Sequence, residues 1–429
     1  MSVLSSMATA ISGLETHGQS LAVISDNIVN ANTTGFKASR GEFQTILAQD
    51  LNASGSSMQI GRGAMMTGIT NLFTQGSVTR TERATDMAIQ GNGFFILNGD
   101  RLGQTYTRDG AFRFDKQGWL VNTNGYHVQA YQASEEGKIT GKLSDIRIPF
   151  NTMKAKSTGN VELNVNLDGR AKIMEPMDLT RPEETSQFVT GLQVFDSVGN
   201  AHGLNVYFNK TGEGTWEWHG MTDGANIEGG EAGKPSEVVQ GQLVFDQEGR
   251  LQTSESATVN GNFINGAIPD QQFLFNFGDP IDGGGTGQKG STQYGSKSST
   301  FRSLQDGFAA GMLADTSIDQ DGNVSGVYTN GQNKLMGQIA LARFEATERL
   351  SKVGENQFRE SVDSGQPLIG KANTNGRGVL MTNSLENSNV DLAKEFVEMI
   401  KAQRGFQASA KSITTANEML DEVIQIKRQ

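Results

Sequence analysis

At 429 residues, with 53 glycines, 7 prolines and no cysteine, the chain has length for two or three domains. The missing cysteine excludes disulfides, zinc–thiolate sites and thiol nucleophiles. A net charge of −11 and a pI near 5.0 argue against nucleic acid as the main partner. No stretch approaches ~18 consecutive apolar residues, so no segment reads as membrane-inserted.

The opening "MSVLSSMATAISGLETHG" has no Lys or Arg and no continuous apolar run. It does not read as a cleaved signal peptide, so an external protein with this start needs another export route. A chain free of cysteine also suits passage out of the cell unfolded, because oxidation cannot trap it. Residues 4–28 carry a heptad. One series is Leu4, Ile11, Gly18 and Ser25; the other is Met7, Leu14, Leu21 and Ile28. Glu15 and Asp26 are the only Asp, Glu, Lys or Arg residues in the first 30. A helix with so little charge is expected to have neighbours on most sides. The heptad then breaks at "NIVNANTTGFK" (27–37), which is neither helix- nor strand-like. Asn competes for backbone hydrogen bonds and ends helices, and Gly35 permits a conformation closed to other residues.

From about Leu72 the pattern is β: "MAIQGNGFFIL", "QTYTRDGAFRFDKQGWLV" and "YHVQAY" read as short strands between glycine turns. An apolar residue followed by Asp-x-x-Gly recurs at 114–118, 195–199, 245–249 and 318–322. Asp first and Gly fourth is type I turn chemistry with a bulge, so each is predicted to join a hairpin. Segments 160–168, 187–208, 214–219 and 238–276 also read as strands. The stretch "GDPIDGGGTGQKGSTQYGSKSS" reads as a loop, and 334–344 resumes as strand or short helix.

The C-terminal "SNVDLAKEFVEMIKAQRGFQASAKSITTANEMLDEVIQIKRQ" is the clearest helix. One core series is Leu392, Met399, Phe406, Ile413 and Leu420; the other is Phe396, Gln403, Ala410, Asn417 and Ile424. Every Asp, Glu, Lys and Arg of 391–428 lies off these positions. Ser388 and Asp391 resemble a capping box. Two heptads at opposite ends of one chain can pair, antiparallel or parallel, and enclose the middle. The expected fold is mixed: N- and C-terminal α-helices forming a coiled-coil domain around nested all-β domains. In residues, 1–30 and 385–429 are helical, and 31–71 and 371–384 are connectors. An outer β-domain takes 72–149 and 296–370, and 150–295 is an inserted distal β-domain.

Nothing in the chain assembles into catalytic or cofactor chemistry. His17, His127, His202 and His219 show no ligand spacing and no local carboxylate partner. "DQDGN" has its glycine too early for an EF-hand, and the glycine-rich "GGGTGQKGST" lacks the Gly-Lys-Ser/Thr order of a phosphate loop. No enzyme activity, cofactor or metal is expected.

The stretch carrying Asn27, Asn30, Thr33, Gly35 and Phe36 resembles the N-terminal signature of the bacterial flagellar rod, hook and hook-associated family. The C-terminal region resembles the closing helix of that family at Asn389, Val390, Asp391, Leu392, Gln403 and Arg404. It departs at Phe406 and Ser409, where tyrosine and asparagine are usual. "DMAIQGNGFFIL", "YTRDGAFRFDKQGWLVNTNGY" and "LVFDQEGRL" resemble the hook branch. The resemblance implies an extracellular tubular homopolymer, with terminal helices forming the inner tube and β-domains outside. Its implied partners are other copies of the chain, rod proteins, the hook cap, hook–filament junction proteins and the flagellar export apparatus, with no nucleic acid and no membrane insertion. Rod proteins are mostly shorter, so the insert at about 150–295 favours a flexible hook that transmits torque. A distal-rod subunit is the alternative. A secreted β-rich carbohydrate-binding or hydrolytic protein is a further reading.

Overall fold

The computed structural model describes residues 3–47, 49–53, 56–99, 103–134 and 137–428. Helix α1 (Val3–Val29) and helix α2 (Leu392–Arg428) stand at the two ends of a β-rich chain. The chain divides into two compact units: 1–150 with 315–327 and 333–429, and 151–314 with 328–332.

In the first unit, α1 and α2 run antiparallel. A methyl group built on Gly13 would lie 2.9 Å from Ser409 Oγ, and one on Gly405 would lie 2.5 Å from His17. Asn27 Nδ2 lies 3.3 Å from Glu395 Oε2. As the position advances along α1, its partner recedes along α2. Ala402 and Ala416 are buried on the inner face of α2. Met399, Phe406, Ile413 and Leu420 are half-buried there. The second series expected on this face is displaced. Phe396, Gln403, Asn417 and Ile424 are exposed, Ala410 is half-buried, and Glu395, Ala402, Ser409 and Ala416, one residue earlier, turn inward. Distance is the reason, since at Gly13 and Gly405 the helices approach too closely for large side chains. The start of α2 also differs from a capping box. Asp391 alone caps it, its Oδ1 accepting from the N–H groups of Ala393 (2.9 Å) and Lys394 (3.2 Å).

On α1, Met7, Leu14, Gly18, Leu21 and Ile28 are half-buried, while Ile11 and Ser25 are exposed. The side chain of Leu4 lies outside the described residues. Among the described residues, the buried α1 positions are Ala10, Thr16, Ile24 and Asn27. Thr16 Oγ1 donates to Ala64 O at 3.2 Å, so part of α1 rests on the segment that follows it. That segment, expected as a connector, is a β-hairpin: Ser39–Thr45 pairs antiparallel with Ala64–Asn71.

The rest of this unit centres on one large sheet. Asn333–Arg343, His127–Ala133, Phe94–Gly99 and Gly103–Thr107 are neighbours in it. Phe94, Phe95, Ile96 and Leu97 are all buried, so both faces of that strand are covered. Phe94 and Ile96 pack with Tyr106, Phe344 and Phe358, while Phe95 meets Phe112 edge-on at 5.0 Å.

The second unit joins two sheets. Five antiparallel strands follow one another as a meander: Phe188–Phe195, Ala201–Gly212, Thr215–Asp223, Pro235–Phe245 and Leu251–Thr258. Asn160–Asn166 lies between Leu274–Asn276 and Ser299–Gln305 in the other sheet. Thr258 hydrogen-bonds Phe273 on one side and Thr190 hydrogen-bonds Thr300 on the other, linking the edges of the two sheets. Between them lie Val161, Leu163, Val165, Trp216, Trp218, Phe275 and Phe277, all buried.

All four Asp-x-x-Gly units are hairpin turns of one geometry. The Gly N–H bonds the Asp carbonyl at 3.0–3.1 Å, and Gly118, Gly199, Gly249 and Gly322 have φ of 86, 98, 77 and 82°. In each, the Asp Oδ1 accepts from the N–H groups two and four residues on. Asn122–Gly125 repeats it with Asn in place of Asp. The histidines correct another expectation, because His127 contacts Asp145 at 2.9 Å, His202 contacts Asp196 at 3.0 Å, and His219 contacts Glu237. Across-strand partners such as Asp145 and Glu237 leave no sequence spacing to read.

Buried Asp196 also generates a pH dependence. Burial pushes its carboxyl up, but the bonds from His202, Asn200 and Gly199 outweigh it and hold the group below the ordinary range. Asp306, held by Asn160, Lys156 and Gly159, is lowered in the same way. A lowered carboxyl contributes stability that is complete above the unfolded value of ~3.9 and is lost as pH falls through the folded value. The second unit should therefore resist urea equally at pH 7 and pH 5 and weaken below about pH 4. Asp196→Asn should cost about 1–2 kcal/mol at pH 7 and flatten the acid slope. Fluorescence of Trp216 and Trp218 reports this unit.

Candidate functional site: the junction of the two chain ends

The stretch that breaks the first heptad is a docking segment. Asn27, in the last turn of α1, is 2 % exposed. Its Nδ2 donates to Ser39 O at 2.8 Å and its Oδ1 accepts from Ser39 N at 2.8 Å, as a strand neighbour would. Asn30 Nδ2 donates to Asp26 O, and Thr33 Oγ1 donates to Asn30 Oδ1, so side chains close the helix end. Gly35 has φ +67°, and a methyl there would stand 2.5 Å from Asp109 N. Both conformation and space demand glycine. Phe36 is buried beneath Lys352, whose Nζ lies 4.6 Å from the ring centroid and 3.5 Å from Asp26.

The C-terminal approach to α2 meets this stretch from the other side. Gly35 N donates to Glu386 O at 2.7 Å. Asn389 Oδ1 accepts from Ala38 N at 2.8 Å, while its Nδ2 donates to Leu72 O at 2.7 Å and Thr74 Oγ1 at 2.8 Å. At the centre Lys37 Nζ pairs with Glu386 Oε1 at 2.6 Å, and both side chains are 0 % exposed. Lys37 also donates to Thr74 O, and Gly76 N donates to Glu386 Oε1. Arg108 reaches Glu386 Oε2 at 3.4 Å and donates to the carbonyls of Ile89 and Gly91. Burial pushes the Lys37 ammonium and the Arg108 guanidinium below their ordinary values, and Glu386 opposes the shift in both.

Asn27, Asn30, Thr33, Gly35 and Phe36 thus gather at one junction. The heptad residues, from Met7 to Ile28 and from Leu392 to Ile424, are spread along the helices instead. Lys37, Arg108 and Glu386 were not singled out from sequence, since a lone Lys and Glu 349 residues apart carry no local pattern. Among the described residues no His, Cys, Asp and Glu cluster could hold a metal, and no helix is long and apolar enough to cross a membrane.

Helical ends fastened to a β-body through this junction define a class, the axial proteins of the bacterial flagellum, and four family models match in chain order. They are "Flagella basal body rod protein" over 7–37, "Flagellar hook protein FlgE/F/G D1 domain" over 88–170, "Flagellar basal body protein FlaE D2 domain" over 166–308, and "Flagellar basal body rod FlgEFG protein C-terminal" over 381–426. The two terminal models contain Asn27, Lys37, Glu386 and Asn389. The flagellar hook protein FlgE of Treponema pallidum is 33% identical over 99% of this chain and 100% of its own length. That of Escherichia coli K12 is 33% identical over 97% and 99%. The crystal structure of Helicobacter pylori FlgE2 shares the fold with a TM-score of 0.52 at 15% identity, covering 72% of this chain and 100% of that one. This chain belongs to the flagellar hook protein FlgE family.

The junction holds two buried cations on one carboxylate. Glu386→Gln strands both, whereas Lys37→Met leaves Arg108 and Glu386 paired. Breaking a buried pair costs about 3–5 kcal/mol. Glu386→Gln should cost at least that in chemical denaturation of the first unit, and Lys37→Met clearly less. Equal losses would mean that Arg108 does not share the carboxylate.

Proposed function

We propose that this chain is the repeating subunit of the flagellar hook, a flexible tube of identical copies that transmits motor torque to the filament. Assembly residues are Leu4, Met7, Ile11, Leu14, Leu21 and Ile28 on α1, and Leu392, Phe396, Met399, Phe406, Ile413, Leu420 and Ile424 on α2. Asn27, Asn30, Thr33, Gly35 and Phe36 set the exit from the tube. The observation that carries this reading is apolar surface left over after α1 and α2 have paired. Ile11, Phe396, Val397, Ile400, Met419, Val423, Ile424 and Ile426 are all exposed. Apolar surface exposed in two patches, at 396–400 and 419–426 of α2, calls for further helices, supplied by other copies.

In this reading the paired helices are a coiled-coil inner layer, residues 31–71 and 371–384 connect it to the β-body, residues 72–149 and 296–370 are the outer β-domain, and 150–295 is an inserted distal domain. The subunit leaves the cell through the flagellar export apparatus. It joins rod proteins at one end of the tube, and hook-cap and hook–filament junction proteins at the other. Hook relatives that match along their whole length favour this over the rod and secreted-protein readings. Charge assigns the wall of the channel. Mixed-sign side chains such as Lys394, Glu398, Lys401, Lys411 and Glu418 are exposed or half-buried on α2, whereas α1 carries only Glu15 and Asp26. A water-filled channel needs a polar wall, and mixed sign holds back no passing chain of either charge.

Met399→Asp or Leu420→Asp should abolish tube formation in electron micrographs while β circular dichroism stays unchanged; tubes of normal yield would remove the helices from assembly. In tubes of Lys401→Cys and Ser12→Cys variants, a thiol reagent confined to the lumen should label the first site strongly and the second weakly. The reverse order would put α1 innermost.

A further inference from the structure

A groove of about 440 Å³ opens beside the line where α1 and α2 meet. Thr9 and Ala10 of α1, Gly61, and Ala408, Ser409 and Ser412 of α2 form its walls. The wall at Gly61 is held close to α1, since a methyl group on Gly63 would collide with Ser12 Oγ. No lining side chain is larger than threonine, and none is charged. Thr9 Oγ1 donates to Ser5 O at 3.0 Å, and Ser412 Oγ donates to Ala408 O at 3.0 Å. Those hydroxyls need no partner in the groove, so covering it strips water from no charge and few polar groups.

The bulk that the groove lacks stands elsewhere on the same helix. Met419, Val423 and Ile426 fall at i, i+4 and i+7 on one face of α2 and are 50, 57 and 71% exposed. The register of the helix pair explains their exposure. Gly13 faces Ser409, His17 faces Gly405 and Asn27 faces Glu395, so Val3, where α1 begins, falls opposite Met419. From there on, the described part of α1 offers nothing to cover the stripe. Because α2 is one unbroken helix rising 1.5 Å per residue, Val423 stands ~22 Å from Ala408. The stripe cannot reach the groove of its own chain, but it can reach that of a second copy. The other exposed apolar patch of α2, at Phe396, Val397 and Ile400, has Lys394, Glu398 and Lys401 beside it, and covering it would desolvate those charges.

We propose that the Met419–Val423–Ile426 stripe of one copy fills the groove at Thr9, Ala408 and Ser412 of the next. This contact presupposes the polymer reading above and specifies which surfaces repeat in it. Stripe and groove are different surfaces, so the contact is head-to-tail. Every assembly keeps a free stripe and a free groove, and growth continues as an open filament.

The chain has no native cysteine, so paired substitutions test the contact. Mild oxidation of tubes built from the Ala408→Cys, Val423→Cys double variant should give a ladder of disulfide-linked dimers, trimers and larger species in non-reducing electrophoresis. The same variant should stay monomeric when unpolymerised, and a Val397→Cys, Val423→Cys variant should give no ladder. Independently, Ala408→Trp fills the groove and should lower tube yield several-fold, while circular dichroism of the unpolymerised chain stays native. Ala408→Ser should assemble like the wild type. A ladder from the Val397 pair alone, or Ala408→Trp tubes at wild-type yield, overturns the contact. A wild-type chain that forms no tubes would sink the polymer reading too, whereas wild-type tubes with neither effect would sink this contact alone.

Discussion

One buried carboxylate organises the ends of this chain. Glu386 meets Lys37 from the segment after α1 and Arg108 from the β-body, and its own backbone carbonyl receives Gly35 N–H. Three stretches far apart in sequence are thereby fixed at one point. The charged groups bring strict geometry, because a buried ion tolerates no loss of its partners. Asn27 and Asn389 extend the fastening with neutral bonds to Ser39, Ala38 and Leu72. Where Asn27 presents its amide to Ser39, α1 is tied to the hairpin. Where Asn389 bonds Leu72 and Ala38, the approach to α2 is tied to the same hairpin.

The helices themselves obey a different constraint. Gly13, Gly405, Ala402 and Ser409 let α1 and α2 approach closely. Their larger apolar side chains, Ile400, Val423 and Ile426 among them, remain outside. A pair built this way has a fixed register and spare adhesive surface, which is the combination a repeating subunit needs. The β-units show the opposite economy. In the second unit the Trp216, Trp218, Phe275 and Phe277 core is closed, and two of its hairpins, at 195–199 and 245–249, are pinned by the Asp-x-x-Gly turn.

Sequence legibility followed the range of the interactions. The turns were readable because Asp and Gly act within five residues, and the structure repeats their geometry at all four sites. The helices were readable from their period, but one face of α2 was misplaced by a residue. Apolarity pointed to Phe396 and Ile424, whereas close approach selects Ala402, Ser409 and Ala416, and smallness leaves a weak apolar signal. Asn27 and Gly35 stood out as departures from pattern, though their partners Ser39 and Asp109 did not. Lys37, Arg108 and Glu386 were invisible, as were Asp145 and Glu237 facing His127 and His219, because strand pairing and chain closure bring them together.

Amide hydrogen exchange on the unpolymerised full chain tests the fastening most directly. Isolated helices of this kind are marginal, so N–H groups near the start of α1 should exchange fast. Those of Gly35, Ala38, Ser39 and Gly76, which donate to Glu386 O, Asn389 Oδ1, Asn27 Oδ1 and Glu386 Oε1, should exchange slowly and together, at the rate of the Phe94–Leu97 core. Exchange of these four as fast as the start of α1 would contradict the account, because the junction would then form only in the polymer.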